Sequence, residues 1–412
     1  MSHNDLPYDL VVFGATGFVG KILCQYLIDQ AETEGDLSWA IAGRSRSKLE
    51  TLVASLGLKA THLPMLIADV NDQSTLQALC AQTSVIISTV GPYALYGEPL
   101  VKVCAETGTD YCDLTGEFQW IRRMVESYEA LAQQSGARLV HCCGFDSIPS
   151  DLGVYFLQQQ AQIRLGQPCV RVKMRVKAAQ GGVSGGTVAS GINLAKEAIE
   201  NPGLRKELTN PYSLCPEPNP NTQHPPTLID VQYDDSFQEW VTPFVMAEMN
   251  TRIVLRSNAL LNHAYGTGFQ YDEAILTGQS VMGWIAAQGL NIGLNSFFLA
   301  ALLPPTRWVL ETWVVPAPGD GPSTEAQEQG FYDLRFWGET ADGQTIQTKV
   351  MGDRDPGYGS TAKMLAQAGI CLAKDVPKSE KEGGFWTPST LFGERLIERL
   401  VAHSGLSFNV LS

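Results

Sequence analysis

Gly14, Gly17 and Gly20 are spaced three residues apart. They follow the apolar run Leu10-Val11-Val12-Phe13 and precede a helical pattern with Ile22, Leu23, Tyr26 and Leu27 on one face. At such a turn the first glycine permits a tight bend, and the second lets backbone N–H groups approach a pyrophosphate. The third lets the helix pack closely on the strand, and the helix N-terminus adds partial positive charge. The chemistry this spacing serves is dinucleotide binding, with Thr16, Phe18 and Val19 completing the loop. A glycine triplet alone is weak evidence, so the elements around it decide.

The end of the second strand selects the dinucleotide. NAD enzymes place Asp or Glu there to hold the ribose 2′-hydroxyl. Here the residues are Gly43-Arg44-Ser45-Arg46-Ser47-Lys48, with no acid. Arg44 can pair in plane with a 2′-phosphate and Ser45 can donate to it, which favours NADP(H). The plainer alternative is a solvated basic turn with Ser47 as a helix N-cap. Asp69, ending the third strand, suits a contact to the ribose or adenine edge, or caps the next helix. Thr89, Val90, Gly91, Pro92 and Tyr93 follow the fourth strand and are expected beside the nicotinamide.

These residues need a parallel sheet behind them, and the chain supplies the pattern. Short apolar runs at 8–13, 39–43, 62–68, 85–90, 110–114 and 138–142 alternate with helical stretches. Strands at βα spacing imply right-handed crossovers and a doubly wound α/β sheet. The 412 residues suffice for two or three domains, and 44% hydrophobic with 17% charged is globular composition. The net charge of −14 without a basic run argues against nucleic acid. Nine cysteines without a CxxC pair, and six histidines without HxH or HxxxH spacing, argue against a disulfide framework and a metal site. They suggest a reducing, cytoplasmic setting.

After Ser150 the texture changes. Asp146-Ser147-Ile148-Pro149 closes the sixth strand and opens a helix, either as a polar cluster beside the nicotinamide or as simple capping. Residues 169–177 alternate Val/Met with Arg/Lys, so one face packs and the other meets solvent or ligand. Gly181 to Thr187 reads as an anion nest or as a loop leading to a helix cap. Residues 201–227 hold seven prolines and read as irregular. Strands are expected near 228–233, 308–315, 330–338 and 344–351, and a helix at 244–260, giving an α+β domain with a largely antiparallel sheet. Segment 274–306 carries no charge. Buried core or dimer contact, the wall of a lipophilic groove or a membrane-surface contact, and a membrane span all stay open for it. The expected domains are 1–150 (nucleotide binding), 151–352 (substrate or dimerisation) and 353–412 (helices returning to the first domain).

No tyrosine is followed by Lys four residues on, which excludes the Tyr-x-x-x-Lys short-chain reductases. The stretches GATGFVG (14–20), AGRSRSKL (42–49), STVGPYALYGEPLVKVCAETGTDYCDLTGE (88–117) and HCCGFDSIPSDLGVYF (141–156) carry a more specific likeness. SGGTVAS (184–190), DPGYGSTAKMLAQAGICLA (355–373) and GGFWTPSTLFGERLIERL (383–400) extend it. Through them the chain resembles the saccharopine dehydrogenase-like oxidoreductases, especially the trans-acting enoyl reductase branch. The resemblance implies NADP binding by Gly14, Thr16, Gly17, Phe18, Val19, Gly20, Arg44 and Ser45. It extends to Thr89, Gly91, Pro92 and Tyr93.

The reaction expected is NADPH-dependent reduction of the C=C bond of an enoyl thioester or lipid-like substrate, in lipid metabolism, with an active site between the domains. Candidate acids and bases are Tyr93, Tyr96, Asp113, His141 and Asp146, with Tyr93 first because Gly91-Pro92 would fix it near the nicotinamide. Each has a plainer reading as packing or an internal hydrogen bond, and a reductase can take its proton from water. Two rivals stand beside this. One is a non-catalytic NADP(H)-binding protein at lipid or membrane surfaces; the other is an imine-reducing dehydrogenase using Arg171, Lys173, Arg175 and Lys177. The expected partners are an acyl-carrier or small-molecule substrate, a second copy as a homodimer, and at most peripheral membrane contact.

Overall fold

A computed structural model describes residues 6–30, 33, 35–181, 190–194, 196–197, 203, 207–221, 225–302, 304–309 and 321–411. Two compact units make up the chain: Met1–Phe145 with Ala317–Gly321 and Gly357–Ser404, and Asp146–Pro316 with Pro322–Pro356 and Gly405–Ser412.

In the first unit the sequence pattern becomes β1 (Tyr8–Phe13), α1 (Phe18–Gln30), β2 (Trp39–Gly43), α2 (Arg46–Ser55), β3 (Met65–Ile67) and α3 (Gln73–Cys80). It continues with β4 (Thr83–Ser88), α4 (Tyr93–Tyr96), α5 (Glu98–Thr107), β5 (Asp110–Asp113), α6 (Phe118–Ser135) and β6 (Arg138–Val140). Every pairing among them is parallel. The strand order 6-5-4-1-2-3 reverses direction at β1 and β4, where doubly wound sheets bind ligands. Leu10, Val11, Val12, Ile41, Val85, Ile86 and Ile87 are fully buried at this centre. Each contributes about 1.5–3 kcal/mol of hydrophobic stabilisation.

A seventh strand, β13 (Gly384–Trp386), lies parallel beside β6. The pattern of residues 383–386 gave no hint of it, because three residues show no periodicity. The helix Thr361–Lys374 packs on β1, β4 and β5. Its C-terminal end is tied down by buried Arg138, which donates to Leu372 O and Val376 O while paired with Asp110. Cations favour that end of a helix.

The second unit holds a mixed sheet of β7 (Cys169–Gln180), β8 (Gln232–Asp234), β9 (Glu239–Pro243), β10 (Gln270–Gly278), β11 (Phe331–Thr340), β12 (Thr345–Gly352) and β14 (Leu406–Leu411). They run in the order β14-β12-β11-β7-β10-β9-β8. Only β7 and β10 pair in parallel, so the sheet is largely antiparallel. β14, grouped by the sequence with the returning helices, instead pairs with β12. The expected strand at 308–315 is helical where described, at Pro304–Val309, and its remainder lies outside the described residues. The expected strand at 228–233 shortens to β8. α7 (Ile148–Leu165) and the helix Ala247–Leu260 lie against this sheet.

Candidate functional site at the glycine turn

Gly14 opens the β1–α1 turn at φ +86°, a left-handed conformation that side chains disfavour. A Cβ there would also lie 2.7 Å from Val90 Cγ2 and 2.8 Å from Thr89 Oγ1. The turn is therefore held directly against the end of β4. Thr89 completes the contact: its N–H donates to Phe13 O and its hydroxyl to Gly14 O, both at 3.0 Å. Gly17 is exposed, and its N–H closes the turn on Gly14 O at 2.9 Å. The i−4 ladder of α1 begins with Lys21 N to Gly17 O, so the N–H groups of Phe18, Val19 and Gly20 come before it. A Cβ on Gly20 would sit 2.4 Å from Gly14 O, so close packing there requires glycine. Thr16 and Val19 are half-buried. Phe18 meets the Tyr358 ring edge-on at 4.9 Å between centroids.

At the end of β2, Arg44 is exposed and Ser45 half-buried, with no carboxylate between Trp39 and Glu50. Ser45 is the N-cap of α2, accepting from Lys48 N, two residues ahead of the Ser47 expected from sequence. Asp69 is half-buried and accepts from Asn71 N–H and its side-chain amide. It does not cap α3; Asp72 does, accepting from Ser74 N and Thr75 N. The residues after β4 are partly open, with Gly91 exposed and Val90 and Pro92 half-buried. These features fit an NADP(H) molecule: a cradle that a Cβ would fill, first-turn amides, and an exposed guanidinium where a 2′-phosphate would need charge. Gly14 through Gly20 would hold the pyrophosphate, and Arg44 with Ser45 the 2′-phosphate.

Of the catalytic candidates, Tyr93, Asp113 and His141 are buried, whereas Tyr96 is exposed and Asp146 half-buried. Tyr93 is buried, and its hydroxyl donates to Ser88 O at 2.9 Å and accepts from Leu114 N. The phenol is thus held between the carboxyl ends of β4 and β5. Glu117, a buried carboxylate that the sequence did not single out, accepts from Tyr93 N at 2.8 Å and Ala94 N at 3.1 Å. Asp113 is fully buried and entirely occupied. One oxygen accepts from Tyr111 OH and His141 Nδ1, the other from Thr115 N and Cys142 N. His141 lies among the rings of Tyr111, Trp120 and Phe385, and its Nε2 lacks a hydrogen-bond partner among the described residues. Burial, with Asp113 nearby, pushes the Tyr111 phenol well above its ordinary range. Cys142 and Cys143 are buried, and burial pushes the Cys143 thiol up strongly, so it is packing rather than a nucleophile. Tyr96 is exposed.

In the second unit, half-buried Asp146 precedes Ser147, the N-cap of α7. Ser147 is fully buried and donates to Asn250 Oδ1 at 2.9 Å. Asn250 donates to Glu273 Oε2 at 2.9 Å, and Tyr271 OH to Glu273 Oε1 at 2.6 Å. Burial raises the Glu273 carboxyl to about 7 despite these donors. The basic face of β7 is not open to a ligand as expected. Lys173 and Arg175 are buried on Asp234 and Asp272, and Lys177 pairs with Glu239. Burial opposes charge on Asp234, but Arg175 and Lys173 hold it below the ordinary carboxylate range. Most of the 181–187 nest lies outside the described residues.

Comparison with known proteins agrees with this geometry. Residues 10–140 match the saccharopine dehydrogenase NADP binding domain. A trans-acting enoyl reductase of Mycobacterium bovis is 37% identical over 413 residues, covering 97% of each chain. One from Mycobacterium leprae is 36% identical with the same coverage. In fold, the apo saccharopine dehydrogenase (L-Glu forming) of Saccharomyces cerevisiae superposes with a TM-score of 0.55 at 14% identity, over 98% of this chain and 99% of that one. The glycine turn, the acid-free end of β2 and full-length kinship converge: the chain belongs to the trans-acting enoyl reductase family, saccharopine dehydrogenase-like proteins built on an NADP(H)-binding domain.

Proposed function

We propose that the protein reduces the C=C bond of an enoyl thioester with NADPH, and that it does so by positioning rather than through a side-chain acid. The observation that carries the first part is the exposed Arg44 at a β2 end without a carboxylate, beside the Gly14–Gly20 cradle. Kinship to proteins named for enoyl reduction supplies the substrate class. Gly14 through Gly20 would hold NADPH, which would supply a hydride for the β-carbon. Thr89 and Glu117 keep the loop after β4 rigid, Thr89 donating to Gly14 O and Glu117 accepting from the amides of Tyr93 and Ala94. Such fixed placement lowers a barrier without direct chemistry.

The proton for the α-carbon comes from water in this reading. Tyr93 and Asp113 have their polar atoms spent internally, and His141 is enclosed by rings. The imine-reducing alternative loses much of its support, since Lys173, Arg175 and Lys177, three of the four cations it would use on a dicarboxylate, are paired with Asp234, Asp272 and Glu239. The test is a trans-2-enoyl thioester with C4-deuterated NADPH. Deuterium should appear at the β-carbon of the saturated product, and solvent hydrogen at the α-carbon. NADPH binding with no turnover of any enoyl chain length would favour a non-catalytic binder.

A further inference from the structure

The helix Val281–Leu302 turns small residues and Asn291 toward the protein and large apolar residues to solvent. Gly283, Ala287, Asn291 and Ala301 are buried, on the side toward β9 and β10. A Cβ on Gly283 would fall 2.4 Å from Gly278 O, so the helix sits close to the end of β10. Asn291 donates inward to Asp230 Oδ1 at 3.0 Å, and Asn295 donates to Asn291. Eight large apolar side chains of the helix are exposed, including Met282 at 70% and Ile292 at 63%, and five of them, Val281, Met282, Ile285, Ile292 and Leu299, lie opposite the buried residues. This inverts the usual surface helix.

The outward residues form a regular row. Met282, Ile285, Gly289, Ile292, Ser296 and Leu299 follow one another at steps of three and four, the heptad spacing of a helix that packs lengthwise on another. All six are exposed, and a Cβ on Gly289 would meet nothing within 4 Å. We propose that this row is the interface of a homodimer in which the helix pairs antiparallel with itself across a two-fold axis. Antiparallel self-pairing about the midpoint between Gly289 and Ile292 sets Gly289 against the partner's Ile292, Ile285 against the partner's Ser296, and Met282 against the partner's Leu299. The two central contacts match a large side chain with a small one, so the helices can approach closely and interdigitate. The arrangement is isologous, as closed dimers require.

Area and charge favour a second copy over a lipid surface. At roughly 100 Å² apiece, the five on the row's side present on the order of 500 Å² of apolar surface. That stands at the upper end of the ~300–600 Å² of a typical monomer's largest patch, which is often functional, and is more than half of one partner's ~800 Å² share of a stable interface. Helices that lie in a membrane surface flank their apolar face with Lys and Arg. Residues 274–306 contain none, and the net charge of −14 opposes an anionic bilayer. Among the described residues no helix is long and apolar enough to cross a membrane.

The test is sedimentation velocity of the full chain at micromolar concentration, with Ile292→Glu and Leu58→Glu alongside. Wild type and Leu58→Glu, whose residue is exposed but far from the row in sequence, should sediment at twice the chain mass. Ile292→Glu should raise the dissociation constant by roughly a hundredfold or more, since it buries an unpaired charge. Its circular dichroism should stay native, because Ile292 is solvent-facing in the single chain. Joint substitution Ile285→Cys and Ser296→Cys should yield an oxidised covalent dimer, whereas each alone should not. The described native cysteines are all buried and leave that readout clean. A monomeric wild type, a dimer indifferent to Ile292→Glu, or a monomer that floats with phosphatidylcholine–phosphatidylglycerol vesicles would each overturn the proposal.

Discussion

Asp113 Oδ2 lies 2.7 Å from His141 Nδ1, joining the ends of adjacent parallel strands in a site with almost no solvent access. The pair has the look of a catalytic dyad, yet its surroundings are structural. The other Asp113 oxygen holds the amides of Thr115 and Cys142, and the Asp113 carbonyl accepts from Cys143 N at 2.7 Å. Two loops at the ligand-binding edge of the sheet are thus anchored on one carboxylate.

Replacing Asp113 with Ala should cost about 3 kcal/mol or more, because several buried donors lose their acceptor together. Urea denaturation would measure it. Any remaining activity should track the folded fraction; a fully stable but inactive variant would instead make Asp113 catalytic.

Tyr93→Phe removes a hydroxyl that bridges Ser88 O and Leu114 N. The expected result is a loss of about 1 kcal/mol in stability with kcat nearly unchanged. A drop in kcat of a hundredfold at unaltered NADPH affinity would restore Tyr93 as the proton donor.

Gly20→Ala places a methyl 2.4 Å from Gly14 O, backbone that cannot give way cheaply. Overpacking of this kind costs about 1–3 kcal/mol, and the shifted turn should weaken both NADPH and NADH. Thermal denaturation and nucleotide titration on the same preparation would check both effects.

Glu273 supplies a pH dependence with a definite sign. Its folded carboxyl is raised from 4.5 to about 7 by burial, so the fold favours the protonated form. That contribution is complete below the unfolded value of 4.5 and fades as pH rises through about 7. The loss reaches up to about 3 kcal/mol by linkage. Glu273→Gln, with the Asn250 amide turned over to match, should remove this slope. The wild-type minus variant stability, followed across that pH window by urea denaturation, would be flat if Glu273 were ionised throughout.

Much of the parallel sheet was legible because β1 to β6 are short apolar runs separated by helices, a local and periodic signal. The NADP(H) loop was legible because glycine spacing and the absence of an acid after β2 are also local. What sequence could not convey was direction and distance. By position Tyr93 faces the nicotinamide, but the bonds from its amide to Glu117 and from its phenol to Ser88 O hold it buried. Ser147, Asn250 and Glu273 are far apart in the chain, so their network carries no sequence pattern. Likewise the alternation of β7 announced a polar face, while the carboxylates that close it come from β8 and β10. The uncharged 274–306 segment was visible at once, but only the structure separates its inward asparagine from its outward apolar row.

The proposed function turns on Arg44 reading the 2′-phosphate of NADPH at an acid-free strand end. Titration of NADPH and NADH against wild type and Arg44→Ala tests this contact by itself. Arg44→Ala should weaken NADPH by about 1.5–3 kcal/mol, roughly ten- to a hundredfold, and leave NADH almost unchanged. Equal weakening of both nucleotides, or tighter wild-type binding of NADH than of NADPH, would contradict it.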